Sequence, residues 1–241
     1  MYAFLFWLAF QVSPLDEGMA LLEQGRSSDA IPLLNTATKA KPGDAVAWKA
    51  LGVAHASLSQ YELAEPAFGQ ACRLAPKLAD ACYFHGRALY ALNRFEGSIA
   101  ALEKAGGGFR VRLGIGQALE ALGRFDEAEK ALREAAAVGA DPAANVALGL
   151  LLLRTGRAGQ AEALLDKTVR TFPNSGEVRL QLARALMERS AFDLAIPHLE
   201  YALKLSPNSA QAHLLLAKAY TRQGRVQDAQ PHFEAAAKAV Q

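Results

Sequence analysis

One alanine recurs along the chain in a fixed phase, and that recurrence limits the fold more than any single motif does. Ala30, Ala64, Ala128, Ala161, Ala195 and Ala229 carry it, with Ser98 in the one remaining place, at steps of 34, 34, 30, 33, 34 and 34 residues. Twelve residues before each stands a small residue: Gly18, Gly52, Gly86, Gly116, Gly149, Ala183 and Ala217. Four residues after each stands a bulky one, Leu34, Phe68, Leu102, Leu132, Leu165, Leu199 and Phe233. Seven after come Ala37, Ala71, Ala105, Ala135, Thr168, Ala202 and Ala236. Four slots kept in phase through seven copies mark a repeat array, in which one supersecondary unit stacks on the next.

The slots also define the unit. Offsets of four and seven lie on one face of a helix. Leu21, His55, Leu89, Leu119, Leu152, Leu186 and Tyr220, three residues after each small slot, mark the face of another. Each unit is therefore two helices joined by a short turn, and small residues in both let the backbones approach so that the bulky slots interlock. Gly25, Gly123, Gly156 and Gly224 stand where the first helix should end in a left-handed conformation. Pro42, Pro76, Pro173 and Pro207 fall between units and are expected to stop the second helix. Pro32, Pro66, Pro197 and Pro231 share another phase, expected near the first turn of the second helix, where a missing N–H costs little.

Helix pairs of this period resemble the tetratricopeptide repeat. Residues 45–78 carry the likeness best, with Trp48, Leu51, Gly52, Tyr61, Ala64, Phe68, Ala71 and Pro76 in the family's slots. The resemblance implies an all-α, right-handed superhelical solenoid of about seven antiparallel helix-turn-helix repeats over residues 13–241. The repeats fall at about 13–44, 45–78, 79–108, 109–141, 142–175, 176–209 and 210–241. A 35-residue RNA-reading helical repeat fits less well, because the steps cluster at 34 and the charge is near neutral.

Two departures stand out. The third repeat is short, and Gly106-Gly107-Gly108 replaces a proline at its joint, which predicts an irregular stacking there. The last repeat is followed by no extra polar helix in the sequence, so its outer face, Leu216 and Phe233 included, is expected to be partly exposed.

Residues 1–12 stand apart. Met1 to Phe10 read MYAFLFWLAF, apolar and without period, a length that suits the apolar region of a secretory signal peptide. No Lys or Arg precedes the run and no Ala-x-Ala-like site follows it, so a segment folded over the first helix is the competing reading. The protein is exported or periplasmic on the first reading and cytoplasmic otherwise. Ser13, Pro14 and Asp16 then read as a cap, a first helical residue and a dipole-favourable acid.

Charge excludes one class of partner: 26 Lys+Arg against 24 Asp+Glu leave +2, with no basic run for phosphate neutralisation. No apolar run reaches the 18 or more residues of a spanning helix. The five histidines form no His-Glu-x-x-His pair, and His55 and His85 occupy packing slots. Cys72 and Cys82 flank one joint ten residues apart, without metal-ligand spacing. They read by default as two buried thiols, and as a disulfide between adjacent helices if the chain is exported. Gly106–Gly108 and Gly114-Ile115-Gly116 lack the strand and the Gly-Lys-Ser/Thr of a phosphate loop, and no Gly-x-Ser-x-Gly elbow appears. The expectation is a chain with no catalytic residues, no cofactor and no metal.

In the family, the concave face is lined by the first helices. Carried onto this sequence, it comprises Lys49, Tyr83, Arg87, Tyr90, Arg110, Gln117, Val146, Leu150, Leu153, Leu180, Arg184, Met187, Leu214 and Lys218. An aliphatic strip beside Arg and Tyr suits a partner's apolar side chains, with arginine taking its carboxylates. The carboxylate clamp by which some relatives hold the tail of heat-shock chaperones is not matched. Lys49 and Arg110 fit, but Val53 and Phe84 stand where asparagines are needed and Gly114 where a cation is. The expected function is a scaffold that binds a protein or peptide along this groove. The alternatives are self-assembly into homo-oligomers through the end repeats, or an accessory subunit of an enzyme or secretion complex.

Overall fold

The computed structural model describes residues 13–239, and the apolar stretch 1–12 lies outside them. Among the described residues there are fourteen helices and no strand. Up to Gly107 runs one compact unit: α1 (Pro14–Glu23), α2 (Ser27–Ala40), α3 (Ala45–Ser57), α4 (Tyr61–Leu74), α5 (Ala79–Ala91) and α6 (Phe95–Lys104). From Gly108 runs a second: α7 (Phe109–Ala121), α8 (Phe125–Val138), α9 (Ala143–Arg154), α10 (Ala158–Thr171), α11 (Gly176–Glu188), α12 (Phe192–Leu205), α13 (Ala210–Arg222) and α14 (Val226–Lys238). Within each, helices pair in chain order as antiparallel hairpins, and every helix packs chiefly on its sequence neighbours.

The small and bulky slots meet inside each hairpin. A Cβ added to Gly52, Gly86, Gly116 or Gly149 would lie 2.6, 2.6, 2.7 or 2.9 Å from Phe68, Leu102, Leu132 or Leu165, respectively. The missing side chain in the first helix is therefore the seat of the bulky one in the second. The recurring alanine is buried in every repeat that has it. Ser98 fits the same slot because its hydroxyl donates to the Gly86 carbonyl at 2.7 Å.

Four of the seven first helices begin on side-chain caps: Ser13, Asp44, Ser175 and Ser209 accept N–H bonds from the turn they start. They end on left-handed residues. In the first repeat the Arg26 N–H donates to Leu21 O and the Gly25 N–H to Leu22 O, both at 2.9 Å, with Gly25 at φ +73°. Gly123, Gly156 and Gly224 repeat this conformation, and Ser59, Asn93 and Ser190 adopt it without being glycine.

Three expectations are corrected. Pro32, Pro66, Pro197 and Pro231 are each the sixth residue of their helix, beyond the first turn. The helix starts just after the left-handed turn, three residues before the recurring alanine, so the phase places proline in the second turn. All four are exposed, so the carbonyls they leave without an N–H can turn to water. Cys72 and Cys82 are not two thiols but a disulfide joining α4 to α5, both buried under Trp48, Leu78 and Ala105. Leu216 is 1% exposed, because its register position, shared with Leu51, Leu148 and Leu182, is covered by helices already in the array. Phe233 is 40% exposed.

The departure at Gly106–Gly108 has a structural counterpart. α6 spans 10 residues where α2 and α4 span 14, Gly106 sits at φ +101°, and the boundary of the compact units falls between Gly107 and Gly108.

Candidate functional site

In the first compact unit the candidate residues lie on α3 and α5. Lys49 is half-buried with its Nζ 3.9 Å from Asp80 Oδ2, bridging the two helices. Arg87 is exposed. Tyr83 meets Phe84 edge-on at 5.6 Å, and Phe84 stacks on Phe68 at 5.4 Å, so this aromatic patch is continuous with the core beneath it. Tyr90 turns its ring against Phe95 at the start of α6, at 5.4 Å, and serves the hairpin as well as the surface.

In the second unit the first helices α7, α9, α11 and α13 pack side by side. Gln117 of α7 and Val146 and Leu150 of α9 come together in a hollow of about 330 Å³, closed on the α11 side by Ser175 and Glu177. Met187 and Lys218 line a second hollow, of about 730 Å³, with Phe192 and Phe233. Leu153 is half-buried and lines neither hollow, and Arg110 is exposed. Arg184 is half-buried and its Nη1 lies 3.3 Å from Gln181 Oε1. Leu180 is 5% exposed and belongs to the core, whereas Leu214 is exposed.

Sequence reasoning missed Asp141 and Glu177 at the rim of the smaller hollow, and Gln181 behind it. Charged residues in a helical array read as solvated faces unless their neighbours are known. For Gln181 a signal was present. It occupies the register position held by Ala50, Phe84, Gly114, Ala147 and Leu215 in five other repeats, with Asp16 in the first, so a polar side chain inside the array departs from the majority.

Among the described residues no three His, Cys, Asp or Glu side chains are grouped as a metal site, and no helix is long and apolar enough to cross a membrane. The histidines have protein partners: His55 Nδ1 meets Gln60 Oε1 at 2.8 Å and His85 Nε2 meets Glu65 Oε1 at 2.8 Å. His213 and His232 share a 2.9 Å contact between their Nδ1 atoms. Burial holds His232 below the ordinary imidazole value, and His213 adds to the shift.

The tetratricopeptide repeat family profile matches residues 15–79, 57–107, 113–176 and 180–241. No curated protein matches the chain. Among solved structures, a tetratricopeptide repeat protein from Parabacteroides merdae superposes with a TM-score of 0.76 at 14% identity, over 94% of this chain and 91% of that one. A chain of the APC/C hetero-tetramer Cut9–Hcn1 gives 0.70 at 20% identity, over 96% of this chain, which spans only 46% of that one. A thermophilic repeat protein of Thermus thermophilus, TTC0263, gives 0.55 at 26% identity, over 72% of this chain and 97% of that one.

Proposed function

The chain belongs to the tetratricopeptide repeat family, and from that premise we propose that it is a non-catalytic scaffold that binds a protein or peptide segment along the exposed faces of its first helices. Proteins of this repeat type generally serve as protein–protein interaction scaffolds. The observation that carries the reading here is the row α7, α9, α11 and α13. It presents half-buried aliphatic side chains, Val146, Leu150 and Leu153, that the bulky-slot core leaves uncovered. Aliphatic residues held in a concavity by rigid helices are the anchoring points a partner segment uses, with polar groups at the rim fixing its register.

The test is substitution on the faces without disturbance of the hairpins. Arg87→Glu with Leu150→Asp should abolish capture of the partner from the source cell while the helical circular dichroism signal and melting temperature stay near wild type. Retained capture removes the face assignment. A buried Cys72–Cys82 bridge supports an exported protein, because such bonds persist in oxidising compartments. Alkylation under denaturing conditions after an acid quench of the cells should leave both cysteines unlabelled, and labelling of both would place the protein in a reducing compartment.

A second reading, self-association through the last repeat, rests on Phe233, a bulky-slot residue 40% exposed beside Met187 and Lys218. Light scattering that finds a monomer at high concentration discards it.

A further inference from the structure

The hollow between α7, α9 and α11 differs in charge from what the arginines on the same row suggest. Its walls are Val146, Ala147, Leu150 and Pro142, and the charged groups that line it are Asp141 and Glu177, with no lysine or arginine. Two helices also begin there, α9 and α11, and each N-terminus contributes roughly half a positive charge. Two full carboxylate charges outweigh two half charges, leaving about one net negative charge. The N–H groups that would attract an anion are partly occupied as well. Asp141 Oδ1 accepts from the Ala143 N–H at 2.8 Å, and Ser175 Oγ from the Val178 N–H at 3.3 Å.

Gln181 adds a second, independent observation. It is 2% exposed in a register position that takes Ala50, Phe84, Gly114, Ala147 and Leu215 in five of the other repeats and an exposed Asp16 in the first, so it is the one polar side chain buried there. Its amide nitrogen donates to Glu177 Oε1 at 2.7 Å, and its carbonyl oxygen accepts from Arg184 Nη1 at 3.3 Å. A buried amide is tolerated only when its hydrogen bonds are made, and leucine fills the same position in the seventh repeat without them. The glutamine thus holds the Glu177 carboxylate at the rim, and its amide stands between that carboxylate and the Arg184 guanidinium.

We infer that this hollow takes a partner segment in which one aliphatic or methionine side chain is flanked by a lysine or arginine. The apolar side chain lies on Val146 and Leu150, and the cation reaches Glu177 and Asp141. At about 330 Å³ the hollow is of a size to take side chains of that segment. This rests on the scaffold reading above and adds the chemistry of the partner.

The test uses random dodecamer peptides displayed on phage and selected on the purified full chain. The expected winners carry Lys or Arg within two positions of Leu, Ile or Met. Their affinity should fall about tenfold on Glu177→Lys and clearly on Glu177→Gln, which removes the charge but keeps an acceptor for Gln181. Leu150→Asp should abolish their binding, and circular dichroism melts confirm that each variant is folded. Winners that need Leu150 but are acidic, or ignore Glu177→Lys, overturn this inference and leave the scaffold reading intact. No enrichment, or winners indifferent to Leu150→Asp, overturns both.

Discussion

Gly52→Ala puts the interlock of the hairpins to a quantitative trial. Glycine in a helix interior is about 1 kcal/mol worse than alanine, so the exchange should stabilise α3 if nothing stood above Gly52. The added Cβ, however, would lie 2.6, 2.7 and 2.9 Å from three ring carbons of Phe68. Carbon atoms rest about 3.5–4.0 Å apart, so the ring must retreat by roughly 1 Å. Phe68 is 2% exposed and stacked on Phe84, and has nowhere to go without moving α4 or α5. Overpacking of this kind costs about 1–3 kcal/mol, which leaves a net loss of about 1 kcal/mol after the helix gain. For a unit of this size that is a fall of about 5 °C in melting temperature.

Two further variants separate the clash from other causes. Gly97→Ala lies on an exposed face of α6, where the nearest atom to the new Cβ is Leu89 Cδ2 at 3.5 Å, and it should raise stability by about 0.5–1 kcal/mol. Gly52→Ala made together with Phe68→Leu recreates the pair Ala183 and Leu199, both fully buried in the sixth repeat. Relative to Phe68→Leu alone, the alanine should then cost less than it does in the wild-type background. Calorimetry and urea denaturation read all three. Stabilisation by Gly52→Ala in the wild-type background would refute the packing register.

Other expectations concern turns, the bridge and pH. Ser59→Gly and Ser190→Gly should each stabilise by about 1 kcal/mol in urea denaturation, because both serines sit at φ 59°, a conformation L-residues adopt at a cost of roughly that size. Reducing Cys72–Cys82, whose partners are 10 residues apart, should lower the stability of the first compact unit by about 2–3 kcal/mol, read as a shift in its melt with reductant. His198 and His232 are both held below the ordinary imidazole value, His198 by burial and then by Arg179, and His232 by burial and then by His213. The unfolded chain therefore takes up these protons first on acidification. Stability of the second unit should be full above about pH 6.5 and decline as pH falls through the lowered folded values, with urea midpoints as the readout. His213→Asn should flatten the part of that decline due to the His213–His232 contact, and an unchanged profile would contradict the assignment.

How much of this was visible in the residues depends on repetition. The pairing of Gly116 with Leu132, or Gly149 with Leu165, could be read because the same two offsets recur in each repeat. Single events were harder. Ser59, Asn93 and Ser190 take the left-handed turn that glycine takes elsewhere, and their identity alone does not announce it. The prolines were placed one turn early because the alanine phase fixes their spacing but not the start of the helix, which the preceding turn sets. A separation of ten residues between Cys72 and Cys82 suits two thiols as well as a bridge until α4 and α5 are seen packed together. At the candidate site, Gln117, Val146 and Leu150 followed from their offset to the packing slots. Asp141 and Glu177 did not, because the charge lining a hollow depends on which helices meet there.

The central claim is that a partner polypeptide lies along the first-helix faces. Photo-crosslinking in the source cell tests it most directly, with a benzophenone amino acid placed in turn at Gln117, Leu150 and Lys218 on first helices and at Lys130 and Arg170 on exposed positions of second helices. Crosslinks to a common polypeptide from the first three positions and none from the last two are predicted. Crosslinks distributed equally over both sets, or confined to the second helices, would contradict the account.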